Sequence, residues 1–547
     1  MIETANTDRW NALIRRALGG MARERIMERI LAGDWTVWKP EDREISNRLG
    51  WLDPVPKVME ALPGIEAFAR RVRKDGFTRV VLLGMGGSSL APEVFSRVRG
   101  SAGASIPLRV LDTTSPDAVA RAARGLDMAK TFFIVSSKSG TTAETSALFN
   151  YFFGLASDTL GEKRAGARFA AITDPGTPLT DLAHRHGFRR VFLADPAVGG
   201  RYSALTVFGL VPAAIKGFDL RRAMAESGSI IQACRAKDPE KNPAAILGTI
   251  LGVLAGAGID KATFLVSPGT SSFADWLEQL IAESTGKEGR GIVPVPENEP
   301  GAPGVYGRDR VFISIGGRTR GGISESMARL ITKGFPAISV AWKDGLSLPG
   351  QFYLWEMATA VAGRQLGINP FDQPDVESTK RKTREALAAL ETGGKTPASE
   401  NAPLSNPGKG LAAFLSGARP GGYVAIQAFL DPVPATRKTL EALRNTIRNR
   451  TGMPATLGFG PRYLHSTGQL HKGDSGRGDF IQITGLEKTD VPIPEIDGQR
   501  PAPSFGALIR AQAQGDWMAL REARRRIIRI DLGRSIQDGL RRLLRHL

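Results

Sequence analysis

The feature that most constrains this chain is a repeated texture. Apolar runs of strand length are each closed by a Gly, Ser, Thr or Asp turn and followed by an amphipathic, helix-like stretch. From Arg79 the runs are VVLLG (80–84), LRVLD (108–112), TFFIVSS (131–137), FAAIT (169–173) and VFLAD (191–195). Unbroken apolar runs belong to strands covered on both faces, and their alternation with helices predicts a doubly wound, mainly parallel α/β sheet. The texture restarts after Lys241 with ATFLVS (262–267), RVFISI (310–315) and AISVAW (337–342), separated by helical stretches at 272–283, 323–333 and 350–366. Two α/β units in tandem are expected.

The rest of the chain is arranged around those units. Residues 1–75 read as a helical segment broken at KPED and LDPVP, followed by α/β domains over 76–235 and 236–391. The Gly/Pro/Ser/Asn-rich stretch 392–410 reads as a linker. Residues 411–547 read as a smaller α+β module with strands YVAIQAFL (423–430) and FIQIT (480–484), an amphipathic helix near 435–450 and Arg-rich terminal helices.

Composition narrows the class. A single cysteine, Cys234, excludes an intramolecular disulfide framework, and 42% hydrophobic with 23% charged residues is a globular balance. The first residues carry acids and arginines and do not read as a secretory signal. The apolar stretch Ala244 to Ile259 is shorter than the roughly 20 residues of a membrane span and reads as a buried helix. A cytoplasmic chain without a membrane partner is expected. With 73 Lys+Arg against 55 Asp+Glu, the formal charge is +18, which is compatible with nucleic acid, a membrane surface or small anions. In the C-terminal segment arginines are interleaved with Ile527, Ile528, Ile530, Leu532, Ile536, Leu540, Leu543 and Leu544, a pattern for a helix or strand docked on the body or on a second subunit rather than for nucleic acid.

Three segments carry chemistry. In VVLLGMGGSSLAPEVF a strand runs through a glycine turn, with Gly87 and Ser88, into a helix, and such a start favours an anion. The G-x-G-x-x-G dinucleotide pattern fails because position 89 is serine, although Asp112 stands where a ribose-binding acid would lie. The next βα turn, SSKSGTTAET (136–145), offers Ser137, Ser139, Thr142 and Thr145 as hydroxyl donors with Lys138, a cradle suited to a phosphate monoester. In ADWLEQLIAESTGKEGRG (274–291), Gln279 and Glu283 share one edge of a helix. Glu283 lies near its C-terminal end, where the dipole disfavours the ionised carboxylate, a setting for a general base; the alternative is a surface pair with Lys287.

GMGGSSL, SSKSGTTAET, VGGRYSAL, EQLIAESTGK and NPFDQPDVESTK occur in the order and spacing of glucose-6-phosphate isomerases, and the chain resembles that family over roughly residues 40–385. The remainder, above all GFGPRYLHSTGQLHKG (458–473), resembles the isomerase half of bifunctional transaldolase/glucose-6-phosphate isomerases. The resemblance implies two sugar-isomerase (SIS-type) domains, an aldose–ketose isomerase working without metal or redox cofactor, and a homodimer. It implies phosphate binding by Gly87, Ser88, Ser137, Lys138, Ser139, Thr142 and Thr145, and Gln279 beside C1 and C2. It implies Glu283 as base, Arg201 facing the enediolate, and Gln373 and Lys380 near the ring oxygen. The family's ring-opening histidine is missing, since residues 284–379 contain none. His465 and His471 of the C-terminal module are the candidates to replace it, with Lys380 and water as the other route. A sugar-phosphate sensor on the same fold and an NAD(P)-dependent enzyme are the competing functions.

Overall fold

The computed structural model describes residues 2–98, 105–266, 269, 271–298, 300–316, 322–391 and 407–547. The chain opens with β1 (Ile2–Ala5) and the helices Asp8–Arg23, Ile26–Leu31 and Pro54–Lys74. A first sheet follows, made of β2 (Arg79–Gly84), β3 (Leu108–Leu111), β4 (Thr131–Ser136), β5 (Phe169–Thr173) and β6 (Arg190–Leu193). Its strands are all parallel in the order β3-β2-β4-β5-β6. The chain therefore turns outward from β2 to the edge strand β3 and returns to β4, which places a topological switch point between β2 and β4. All of β4 and all of β2 after Arg79 are buried, because helices cover both faces.

The second sheet contains β7 (Lys261–Leu265), β8 (Val293–Glu297), β9 (Arg310–Ile315) and β10 (Ala337–Val340), in the order β1-β10-β9-β7-β8. The N-terminal segment, expected to be helical, thus begins as an antiparallel edge strand on β10, with Ile2 opposite Val340. Four residues are too few to show a periodicity, so this strand could not be read from sequence.

The C-terminal module holds β11 (Tyr423–Phe429), β12 (Ala455–Phe459), β13 (Gly478–Thr484) and β14 (Arg526–Asp531). The module expected as α+β is built on four parallel strands in the order β12-β11-β13-β14. Of the Arg-rich segment expected as helices, one part is β14 and the other is the helix Ile536–His546. Ile528, Ile530, Leu532, Leu540 and Leu543 all enter this module's core, so the arginines ride on a docked element. Within the expected 392–410 linker, residues 392–406 lie outside the described residues, and the helix Pro407–Ser416 begins inside it.

Two seams join the C-terminal sheet to the rest. Val293 and Val295 of β8 pack with Tyr423, Ala425, Phe480 and Leu470. Val491, Ile493, Phe505 and Leu508 join the core on one face of the first sheet.

The apolar stretch 244–259 is the helix Pro243–Gly256, packed on the helix Leu348–Leu366. Among the described residues no helix is long and apolar enough to cross a membrane. The two backbones approach so closely that a Cβ on Gly248 would lie 2.3 Å from the Ala358 carbonyl oxygen. Gly248→Ala should therefore cost about 1–3 kcal/mol through overpacking. Urea unfolding of the two proteins checks this, and an unchanged midpoint would contradict it.

Candidate active site

The site lies at the carboxyl ends of β2 and β4, where a doubly wound sheet exposes its ligand crevice. After β2 the chain makes a single turn, Gly86–Ser88, before the helix Leu90–Arg97. Gly86 has φ +55°, and a Cβ on Gly87 would fall 2.1 Å from the carbonyl oxygen of Gly200. Glycine at 87 is thus required for the loop bearing Arg201 to come this close. Ser136 at the end of β4 donates to the Ser88 carbonyl at 3.1 Å and so clamps the two loops together.

In the second loop the hydroxyls pair with one another. Ser137 Oγ lies 3.1 Å from Thr142 Oγ1 and accepts from the Gly140 amide at 3.2 Å, and Ser139 Oγ lies 3.0 Å from Thr141 Oγ1. Thr145 Oγ1 is buried and, among the described residues, has no hydrogen-bond partner. The Lys138 ammonium turns to the Asp174 carboxylate and the Pro196 carbonyl.

Arg201 sits at the centre, 2% exposed, in the turn Gly200–Tyr202. Nε donates to Ser284 Oγ (2.8 Å), and Nη1 to Glu283 Oε1 (3.0 Å) and Gln373 Oε1 (2.8 Å). Nη2 donates to the carbonyls of Pro370 (2.6 Å) and Asp372 (3.0 Å). These bonds use the five donors a guanidinium offers and fix its plane.

Glu283 projects from the helix Ser271–Thr285, where Gln279, one turn earlier, donates to Glu283 Oε2 at 3.1 Å. Gln279 Oε1 is buried and, among the described residues, has no hydrogen-bond partner. The alternative Glu283–Lys287 pair does not form. Lys287 instead donates to the side chain of Asp372 at 2.7 Å and to its carbonyl at 2.6 Å. Burial and the nearby Arg201 charge push the Lys287 ammonium down to about 8, against the opposing pull of Asp372.

His465 enters this group from the C-terminal module. Its carbonyl accepts from Gln279 Nε2 at 2.8 Å, and its Nε2 lies 2.9 Å from Glu144 Oε1. Glu144 also accepts from Gln512 at 2.8 Å, and Gln512 in turn accepts from Thr114 at 2.7 Å. Burial opposes the imidazolium, but the charge and hydrogen bond of Glu144 outweigh it, so the His465 pKa is raised above the ordinary 6.5. The same pair outweighs burial at Glu144 and lowers its carboxyl below the ordinary 4.5. Lys380, exposed and 2.7 Å from Glu377, lies near enough for its charge to act on both.

His471 is not brought into this group. It is 3% exposed, packed among Tyr423, Tyr463 and Phe480 with Nδ1 3.2 Å from Gln427 Nε2, and burial holds its pKa well below the ordinary value. The short helix Gly468–Gly473 turns it towards the C-terminal sheet.

Sequence reasoning missed Glu144, Ser284 and Gln512. Glu144 had a signal: an acid inside a hydroxyl-rich anion cradle repels the ligand unless a cation is committed to it.

The fold, two doubly wound α/β units in tandem, is of the SIS type found in sugar isomerases. The phosphoglucose isomerase family model matches residues 51–294. The glucose-6-phosphate isomerase of Staphylococcus saprophyticus is 30% identical over 383 residues, covering 61% of this chain and 86% of that protein. That of Rubrobacter xylanophilus is 29% identical over 378 residues, covering 60% and 87%. A hypothetical protein from Thermus thermophilus superposes with TM-score 0.61 at 25% identity, covering 71% of this chain and all of that one. A Chlamydia trachomatis glucose-6-phosphate isomerase shares the fold, with TM-score 0.55 at 19% identity over 69% and 86% of the two chains. The chain belongs to the glucose-6-phosphate isomerase family.

The ion pair makes a testable claim. Between the lowered Glu144 value and the raised His465 value both groups are charged. The stabilisation from His465 is full below its unfolded pKa and is lost as pH rises through its folded one. An NMR titration should place His465 above 6.5, and Glu144→Gln should bring it below. A His465 value unaffected by that substitution would contradict the pairing.

Proposed function

We propose that this chain interconverts glucose 6-phosphate and fructose 6-phosphate, the aldose–ketose step of glycolysis and gluconeogenesis, acting in the cytoplasm. The observation that carries the reading is the Arg201–Glu283 contact of 3.0 Å, a carboxylate held against a buried cation and braced by Gln279 and Gln373. A sensor would need the phosphate loop but not this pair.

In the proposed mechanism Ser88, Ser137, Ser139, Thr142 and Thr145 hold the phosphate, with backbone N–H groups of the two loops. Lys138 sets the loop through Asp174. His465, protonated by virtue of Glu144, gives its proton to the ring oxygen as the C1–O5 bond breaks, the C1 hydroxyl releases its proton to water to leave the carbonyl, and Lys380 supports the opening from the solvent side. Glu283 then removes the proton from C2, and a cis-enediol(ate) forms. The same carboxylate returns the proton to C1. Arg201 keeps its proton throughout and stabilises the charge that appears on the oxygens of C1 and C2.

In this reading 76–235 supplies the phosphate cradle and Arg201, 236–391 the base, Gln373 and Lys380, and 411–547 the imidazole. A homodimer would carry two such sites, each with its own His465.

Incubation with glucose 6-phosphate in D₂O should give fructose 6-phosphate with deuterium at C1 and, in recovered aldose, at C2. Glu283→Gln should slow exchange about 10²–10⁴-fold, the range a positioned base contributes. Binding without exchange in the unaltered protein would replace the isomerase by the sensor, and normal exchange by the variant would remove the assigned base.

A further inference from the structure

A second cleft, of about 570 Å³, opens between the edge strand β3 of the first sheet and the edge strand β12 of the C-terminal sheet. It is within the size range of small-molecule sites. It shares none of the side chains assigned above to phosphate binding or proton transfer.

Its walls are unevenly neutralised. Arg97 pairs with Glu93 at 2.7 Å, and Arg121 is held by both oxygens of Asp431 at 2.5 and 2.6 Å. Arg462, at the inner end, is shared between Glu93, Asp112 and Asp275 at 2.6, 3.0 and 3.5 Å. Arg109 and Arg437 also line the cleft, and among the described residues neither forms an ion pair with a carboxylate, although the Arg437 charge acts on Asp275. Arg437 lies over the Phe459 ring at 4.8 Å. Burial and the neighbouring Arg121 and Arg79 disfavour the charge of Arg109, a crowding that an anion would relieve. Two guanidinium forks without acids are matched to the oxygens of a phosphate.

The floor has the opposite character. Asp275 and Glu278 stand three apart on the helix Ser271–Thr285, so they share a face, and both line the cleft. Among the described residues the Glu278 carboxyl has neither a hydrogen-bond nor an ion-pair partner. Burial and Asp275 push it up to about 8. It can therefore both accept from and donate to hydroxyl groups near neutral pH.

We propose that this cleft is a second binding site, for a phosphorylated polyol, with the phosphate on Arg109 and Arg437 and the hydroxyls on Asp275 and Glu278. The site does not rest on the isomerase reading. Its inner wall does adjoin the active site, since Arg462 opens the turn Arg462–His465 that ends in the imidazole.

Isothermal titration of the full chain with D-glucitol 6-phosphate, which has no carbonyl to isomerise, should read two sites per chain. Arg109→Gln/Arg437→Gln should read one while isomerising glucose 6-phosphate at the unaltered rate. The same number of sites in the unaltered chain and in the variant would overturn the proposal, and would leave the D₂O-exchange result untouched. Inorganic phosphate should bind the cleft about tenfold more weakly or worse, for want of the hydrogen bonds to the two acids. Equal affinity would overturn the polyol assignment.

Discussion

The guanidinium of Arg201 is the joint on which the site depends. It belongs to a turn after the last strand of the first sheet, yet its donors reach Ser284 and Glu283 on a helix of the second unit and the 370–373 segment beyond it. A buried cation that cannot lose its proton must keep its acceptors, and removing one partner of such a pair typically costs about 3–5 kcal/mol. The same constraint serves the chemistry. Glu283 is oriented from one oxygen by Arg201 and from the other by Gln279, so the proposed base is in place before substrate arrives.

The C-terminal module extends this arrangement. Its 460–474 segment is pinned to the catalytic body by Gln469, which donates to the Gly286 carbonyl at 3.0 Å and to Asp375 at 2.5 Å. A Cβ on Gly286 would lie 2.4 Å from the Leu470 Cα, so the helix end and the module are in direct backbone contact. Behind the segment, Asp516 takes Lys472 at 2.7 Å and the Tyr463 hydroxyl at 2.6 Å in a fully buried network. These contacts hold His465 against Glu144 and leave His471, six residues on, in the module's own core. The family model ends at residue 294, before His465.

Much of this was legible in the sequence. Continuous apolar runs marked most strands of the first two sheets, because burial on both faces leaves no polar alternation to obscure them. The hydroxyl-rich loop and the Gln279–Glu283 spacing marked two sides of the proposed site. What escaped reading were features set by long-range packing. Strand β1 is four residues long, β8 (VPVPE) carries two prolines, and β14 is interrupted by arginines, so none resembles a buried strand. Choosing between His465 and His471 required knowing which way a six-residue helix faces. Glu144, an acid inside the hydroxyl-rich loop, implied a committed cation, but that this cation is a histidine 321 positions away has no local signature.

The central claim is that the C-terminal module supplies the acid that opens the sugar ring. The direct measurement compares His465→Gln with the unaltered chain on cyclic glucose 6-phosphate and on an open-chain analogue lacking the ring-forming hydroxyls. The account predicts that turnover of the cyclic substrate falls by about 10²-fold or more, the scale of a lost general acid. Proton exchange on the open-chain analogue should stay near its original rate. Unchanged turnover of both substrates, or equal loss on both, would contradict it.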